Sequence, residues 1–316
     1  MKPTGFFTHC TFYKHEMGTG HPECPERLSA IDDRLLACGL SDFLERREPT
    51  PASLAALELA HDPTHIAALR SMTEALREQC ATGGPSYHHI DPDTAINLHT
   101  WDAALLSAGA AIDATQAVVA GELQNAFCAV RPPGHHALQR KAMGFCFLNN
   151  VAVAAKYAVQ RLGLERVAIV DFDVHHGNGT EDIVLGDERI LMCGFYQDPF
   201  YPPGPHPQGP NVVNIPVSAY TKGPDIQALV QSQWLPRLHA FAPQLVLVSA
   251  GFDAHREDDM GQLGLVEQDY AWLTQQIKRV ANEHAQGRIV SVLEGGYNLS
   301  ALGRSVEAHL RVLADL

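Results

Sequence analysis

Asp171-Phe172-Asp173-Val174-His175 sets two carboxylates and an imidazole at alternate positions, directly after the apolar run Val167-Ala168-Ile169-Val170. In extended backbone alternate side chains share a side, so Asp171, Asp173 and His175 can converge into a half-site for a divalent metal. The competing account is a buried turn without metal. It must leave two acids against apolar neighbours, at a cost on the order of several kcal/mol unless something compensates them. Asp253 follows another apolar run, Leu245-Val246-Leu247-Val248. With Asp173 and His175 it would make three ligands and leave a position for water, as catalytic rather than structural sites do. Such oxygen and nitrogen donors favour Zn²⁺, with Fe²⁺ or Mn²⁺ as alternatives.

His135-His136 follows Pro132-Pro133-Gly134, a stiff turn that aims both rings with little freedom. One imidazole beside an activated water could take its proton, and the pair could divide base and acid work. His176 should point away from His175 and reads as structural. Tyr297 follows Gly295-Gly296, an open turn from which a phenol could stabilise an oxyanion. Gly144-Phe145-Cys146-Phe147 and Phe200-Tyr201-Pro202 offer aromatic rings that could wall an apolar tunnel.

These residues need a frame. Apolar runs at 125–130, 167–170, 189–193, 245–248 and 288–292 each lead into a glycine-containing stretch, Gly194-Phe195-Tyr196 after the third. Helical spacing fills 150–163, 224–240 and 266–286 between them, and 28–36, 64–79 and 100–120 before them. Strands alternating with helices predict an α/β fold, a parallel sheet covered on both faces, with its site outside the carboxyl ends of the strands. The unusual polar residues cluster after the apolar runs, on that one edge. The polar stretch 81–98 reads as a long functional loop. With no repeat and no linker, residues 1–316 are expected to form one domain.

Composition limits the partners. The chain carries 36 acidic against 23 basic residues, a net charge of −13, and no basic run. Direct nucleic-acid binding is therefore not expected, while cationic partners suit the surface. Seven scattered cysteines without a CxxC pair suggest free thiols in a reducing compartment. No leader-like start and no stretch of membrane-spanning length are read, so a cytoplasmic protein without membrane association is expected. Oligomeric state, homo-oligomers included, is left open.

RPPGHHA at 131–137, GFCFLNN at 144–150, DFDVHHGNGT at 171–180, SAGFDAH at 249–255 and LEGGYN at 293–298 follow one another in a fixed order. Together they resemble the zinc-dependent histone deacetylase superfamily, in wording closest to class II and bacterial amidohydrolase-like members. The resemblance implies the arginase/deacetylase fold, a single three-layer domain with a central parallel sheet flanked by helices. It implies Zn²⁺ on Asp173, His175 and Asp253, with tandem histidines His135 and His136, the latter the main general base and acid. Asp171 would orient His135 and help hold a structural K⁺. Asn178 stands where some relatives carry an Asp paired with the second histidine. Tyr297 would polarise the acetyl carbonyl. Phe145 and Tyr201, with Gly144 and Met260, would line the channel for the acyl-lysine stem, and Asp93 or Asp91 would accept hydrogen bonds from the substrate backbone. Arg27 resembles an arginine near the inner acetate-release cavity.

The chain also departs from the pattern. Gly194 replaces a Ser whose hydroxyl helps hold K⁺, and Tyr201 replaces the commoner Phe. Met260 stands seven residues after Asp253, where polyamine-selective relatives carry a Glu, although Glu257 to Asp259 lie close by. The expected activity is removal of acetyl or other acyl groups from lysine ε-amines of proteins or peptides. Small acetylated amines such as polyamines are the alternative substrates. A non-catalytic acyl-lysine reader would have lost a ligand, a tandem histidine or the tyrosine, and a two-metal ureohydrolase would need more carboxylates.

Overall fold

The structure, a computed structural model, describes residues 2–204 and 209–316. Its frame is an eight-stranded parallel sheet. The strands are β1 (Thr4–Phe7), β2 (Leu44–Arg47), β5 (Asn125–Cys128), β6 (Val167–Asp171), β7 (Ile190–Gln197), β8 (Val212–Val217), β9 (Leu245–Ala250) and β10 (Ile289–Leu293), in the order β2-β1-β5-β10-β9-β6-β7-β8. A separate antiparallel pair, β3 (His88–His89) and β4 (Ala95–Ile96), sits inside the polar stretch 81–98.

The middle strands are apolar because both their faces are covered. Every residue of β5, β6, β9 and β10 is buried. α4 (Thr100–Ala120) and α5 (Asn150–Gln160) pack on each other and on these strands. α1 (Glu26–Ala37), α9 (Glu267–His284) and α10 (Leu299–Leu313) form a second group, with α10 against β5 and α9 against β9. The long α3 (Pro63–Ala81) and the short α2 (Leu54–Leu57), α6 (Asn178–Val184), α7 (Gly223–Leu229) and α8 (Leu235–Phe241) complete the set. α4 is long and apolar enough to cross a membrane by length and composition, unlike the reading of the sequence, but 72% of its apolar window is buried here among protein neighbours.

Three further features differ from the expected elements. The edge strands β2 and β8 lack a continuous apolar run, being LERR and VVNIPV; edge strands need only one paired side and tolerate charge and Pro216. The helix expected over 224–240 is divided by a π-helical turn, Val230–Trp234, just before Pro236, whose ring nitrogen cannot donate to the preceding turn. α6 and α10 form where the sequence pattern predicts no helix.

The registers bring the carboxyl ends level. Asp171 lies opposite Gly194 on β7 and Ser249 on β9, and Leu293 lies opposite Ala250. The loops leaving β6, β9 and β10 therefore start side by side.

Candidate active site

Asp173, His175 and Asp253 meet at this shared edge. Their donor atoms all lie within 4.8 Å of one another, and all three side chains are buried. His175 Nδ1 is 3.0 Å from Asp173 Oδ1 and 3.1 Å from Asp253 Oδ2. Backbone amides aim the carboxylates: Gly295 N–H donates to Asp173 Oδ2 at 2.9 Å, and Val174 N–H to Asp253 Oδ1 at 2.9 Å. Gly295 has to be glycine for this approach, since a Cβ there would sit 2.0 Å from Asp253 Oδ2.

The donor set fits a dication. Burial, with Asp173 beside it, pushes the Asp253 carboxyl up to about 7. Burial disfavours the charged form of His175, but Asp253 and Asp173 outweigh it and push the imidazole up to about 10. A proton is thus held where two buried carboxylates need positive charge, the position a metal ion would serve. The second cluster of this kind among the described residues, His239, Glu283 and His284, lies elsewhere.

The tandem histidines flank this centre with different partners. His135 Nδ1 is 3.1 Å from Asp171 Oδ2, and its Nε2 is 3.8 Å from Asp173 Oδ2. Burial opposes its charge, yet Asp173 and Asp171 prevail and push it up to about 10. His136 Nδ1 is 2.7 Å from Asn178 Oδ1, a neutral acceptor. Burial, reinforced by the His135 and His175 rings, holds His136 well below the usual histidine range. His176 turns the other way, to Glu181 at 3.1 Å.

A cavity of about 200 Å³ opens over these groups. Asp93, His136, Gly144, Phe145, His175, Phe200, Tyr201, Asp259, Met260 and Tyr297 line it. Gly144 and Phe145 both adopt left-handed backbone, with φ of 56° and 68°. A side chain at Gly144 would collide with His136, its Cβ only 2.5 Å from that ring. Strained backbone of this kind is retained where a site demands it. Tyr201 stands edge-on to His136 with centroids 5.2 Å apart, and Phe200 stacks on His175 at 5.5 Å. Of the two acids proposed before α4, Asp93 lines the cavity, whereas Asp91 Oδ1 accepts the Asp93 and Thr94 amides that shape its turn.

Tyr297 is held from two sides. The buried Arg27 guanidinium lies 4.9 Å from its ring centroid and donates to the Gly296 and Glu294 carbonyls at 2.6 and 2.5 Å. Asp258 Oδ2 accepts the Tyr297 and Asn298 amides at 2.6 and 2.9 Å. Burial, against the opposing effect of Arg27, pushes the Tyr297 phenol well above its usual range, so it remains a donor.

Reading the sequence missed two supporting acids. Glu294 Oε2 accepts the Gly134 and His135 amides at 2.7 and 3.1 Å and so fixes the tandem-histidine loop. Its signal was an acid directly following an apolar run. Asp258 was hidden in Glu257-Asp258-Asp259, which looks like solvated charge.

An all-parallel sheet with these groups at one edge is the arginase/deacetylase fold. The structure matches a solved one, "Crystal Structure of HDA15 HD domain", at TM-score 0.90 and 32% identity, covering all of this chain and 90% of that one. In sequence the chain is 37% identical to a "Probable deacetylase" of Archaeoglobus fulgidus, over 94% of this chain and 82% of the relative. It is 38% identical to "Polyamine deacetylase HDAC10" of Mus musculus, over 90% of this chain and 43% of the relative. Residues 21–313 match the histone deacetylase domain, and the chain belongs to that family.

Proposed function

We propose that this chain is a zinc-dependent deacetylase that hydrolyses acetyl or other acyl groups from lysine ε-amines in proteins or peptides. The convergence of Asp173, His175 and Asp253 beneath an aromatic-walled cavity, beside two differently tuned histidines, carries this reading. Family membership and the relatives' names support a deacetylase; metal and substrate are our inference.

Asp173, His175 and Asp253 would hold the zinc, which when bound supplies Lewis acidity to the amide carbonyl and lowers the pKa of water. The chain's own groups do the rest. With Nδ1–H donating to Asn178, His136 presents Nε2 as a lone-pair base, and its depressed basicity keeps it neutral and able to take a proton from water. His135, whose Nδ1 faces the Asp171 carboxylate at 3.1 Å, would lend positive charge as the carbonyl oxygen becomes an oxyanion. Tyr297 donates a hydrogen bond to that oxygen. The proton held on His136 then passes to the leaving amine, so water and amide become acetate and free amine. Phe145, Phe200 and Tyr201 wall the stem of the substrate and exclude water around it.

Potassium finds weaker support. Gly194 offers no hydroxyl, and the Asp171 carboxylate is already engaged by His135 and by the Asp173 amide. No step is assigned to it.

Small acetylated amines form a second reading, because Asp93 and Asp259 put carboxylates on the cavity wall and a polyamine deacetylase is among the relatives. Acetate release from an acetyl-lysine peptide and from acetylspermidine, compared for zinc-loaded, chelated and Tyr297→Phe protein, separates the two. Preference for the peptide, lost on chelation and in the variant, is the expected result. Preference for acetylspermidine would move the function to small amines, and turnover indifferent to zinc and to Tyr297 would overturn the mechanism.

A further inference from the structure

Far from this cavity, three donors from two helices face one point. His239 lies in the last turn of α8, and Glu283 and His284 end α9. His239 Nδ1 is 3.0 Å from His284 Nε2. One Glu283 oxygen is 3.4 Å from His239 Nδ1 and the other is 3.4 Å from His284 Nε2. We propose that His239, Glu283 and His284 form a second metal site, one that takes a first-row transition-metal dication such as Zn²⁺.

The spacing supports this. A tetrahedral ion bound at about 2.0–2.2 Å sets its ligand atoms roughly 3.3–3.6 Å apart. The observed 3.0 to 3.4 Å therefore needs little side-chain movement to admit one. Asp173, His175 and Asp253 show the same close approach, at 3.0 and 3.1 Å from the imidazole nitrogen. The chemistry agrees as well. Two imidazoles and one carboxylate are a donor set suited to zinc. The two ring nitrogens face each other at 3.0 Å, and the Glu283 carboxylate turns one oxygen to each of them. A dication would satisfy all three donors together.

Position adds two further points. His284 ends an 18-residue helix, whose carbonyl end favours positive charge. His239 and Glu283 are exposed, so water can fill the remaining coordination. α8 leads into the start of β9 and α9 into the start of β10, whereas Asp173, His175 and Asp253 follow strand ends. The new site therefore lies at the opposite edge of the sheet from the cavity. It would take part in no chemistry there; it would tie the end of α8 to the end of α9.

Zn²⁺ uptake by full-length protein, measured by equilibrium dialysis with metal analysis, tests this. His239→Gln/His284→Gln is expected to bind one equivalent fewer than the unaltered protein, with acetate release unchanged within about twofold. In the unaltered protein, thermal unfolding should move upward on filling that equivalent, and in the variant it should not. His88→Gln/His89→Gln, which removes two exposed histidines elsewhere, should keep the full number. Equal uptake by the unaltered protein and the His239/His284 variant would overturn the proposal. So would loss of the equivalent from the His88/His89 variant instead.

Discussion

His136 Nδ1 lies 2.7 Å from the amide oxygen of Asn178, while the adjacent His135 faces the carboxylate of Asp171 at 3.1 Å. Neighbouring imidazoles thus have a neutral and an anionic partner, which separates their proton affinities. Replacing Asn178 by Asp should remove that asymmetry, since a carboxylate at hydrogen-bond distance raises a histidine by about 1–3 pKa units. A higher pKa leaves less neutral His136 at any given pH. The acid limb of kcat/KM should therefore shift to higher pH in Asn178→Asp. A pH–rate profile with an unmoved acid limb would show that His136 is not the base.

Asp258 touches no substrate in this scheme, yet it receives the amides of Tyr297, Asn298 and Met260. Asp258→Ala leaves those amides without their acceptor and should cost about 1–3 kcal/mol of stability. It should also lower kcat by releasing Tyr297. In a Tyr297→Phe background the same change should have little further effect on kcat, because the positioned hydroxyl is already gone. Additive losses in that double-mutant cycle would mean that Asp258 acts independently of Tyr297.

Removing zinc should abolish turnover and lower the unfolding temperature together, because an ion held by Asp173, His175 and Asp253 binds the folded state alone. Both should return when Zn²⁺ is restored. Turnover that survives verified metal depletion would contradict the proposed chemistry.

His309 supplies a pH effect remote from the cavity. It is buried between Thr274 Oγ1 at 2.6 Å and Ser291 Oγ at 2.9 Å, and burial pulls it down to about 3. The folded protein keeps it neutral, while the unfolded chain protonates it near about 6.5. Its contribution to stability is full above that pH and is lost as pH falls from about 6.5 toward 3. Each pH unit in that window costs about 1.4 kcal/mol for this one group. Urea unfolding of His309→Gln across the window should show a slope shallower by about one proton. An identical slope would mean that His309 is accessible to protons in the fold.

The centre of the sheet and its polar edge could be read from sequence because the same pressure shaped both. A strand buried on two faces must be apolar, and the polar residues that end it then stand out, as Asp171 does after Val170 and Asp253 after Val248. That contrast fails at the margins. β2 carries Glu45, Arg46 and Arg47, and β8 carries Asn214 and Pro216, compositions that belong equally to loops. Asp258 and Glu294 escaped because their work is to accept backbone amides, and no residue pattern announces which amides will lack partners. Between Asp91 and Asp93 only the folded turn decided, by directing one carboxylate to backbone and the other to the cavity.

The strand order has a consequence for synthesis. Among the described strands β10 comes last in sequence, yet it lies in the interior of the sheet, between β5 and β9. Until it has been made, β2-β1-β5 and β9-β6-β7-β8 have no strand to join them. Asp173, His175 and Asp253 all belong to the second of these groups, but the Gly295 amide that aims Asp173 arrives only behind β10, and Glu294, which holds the histidine loop, arrives with it. On the ribosome, these three side chains therefore emerge well before the geometry that would use them, and assembly of the candidate site coincides with closure of the sheet.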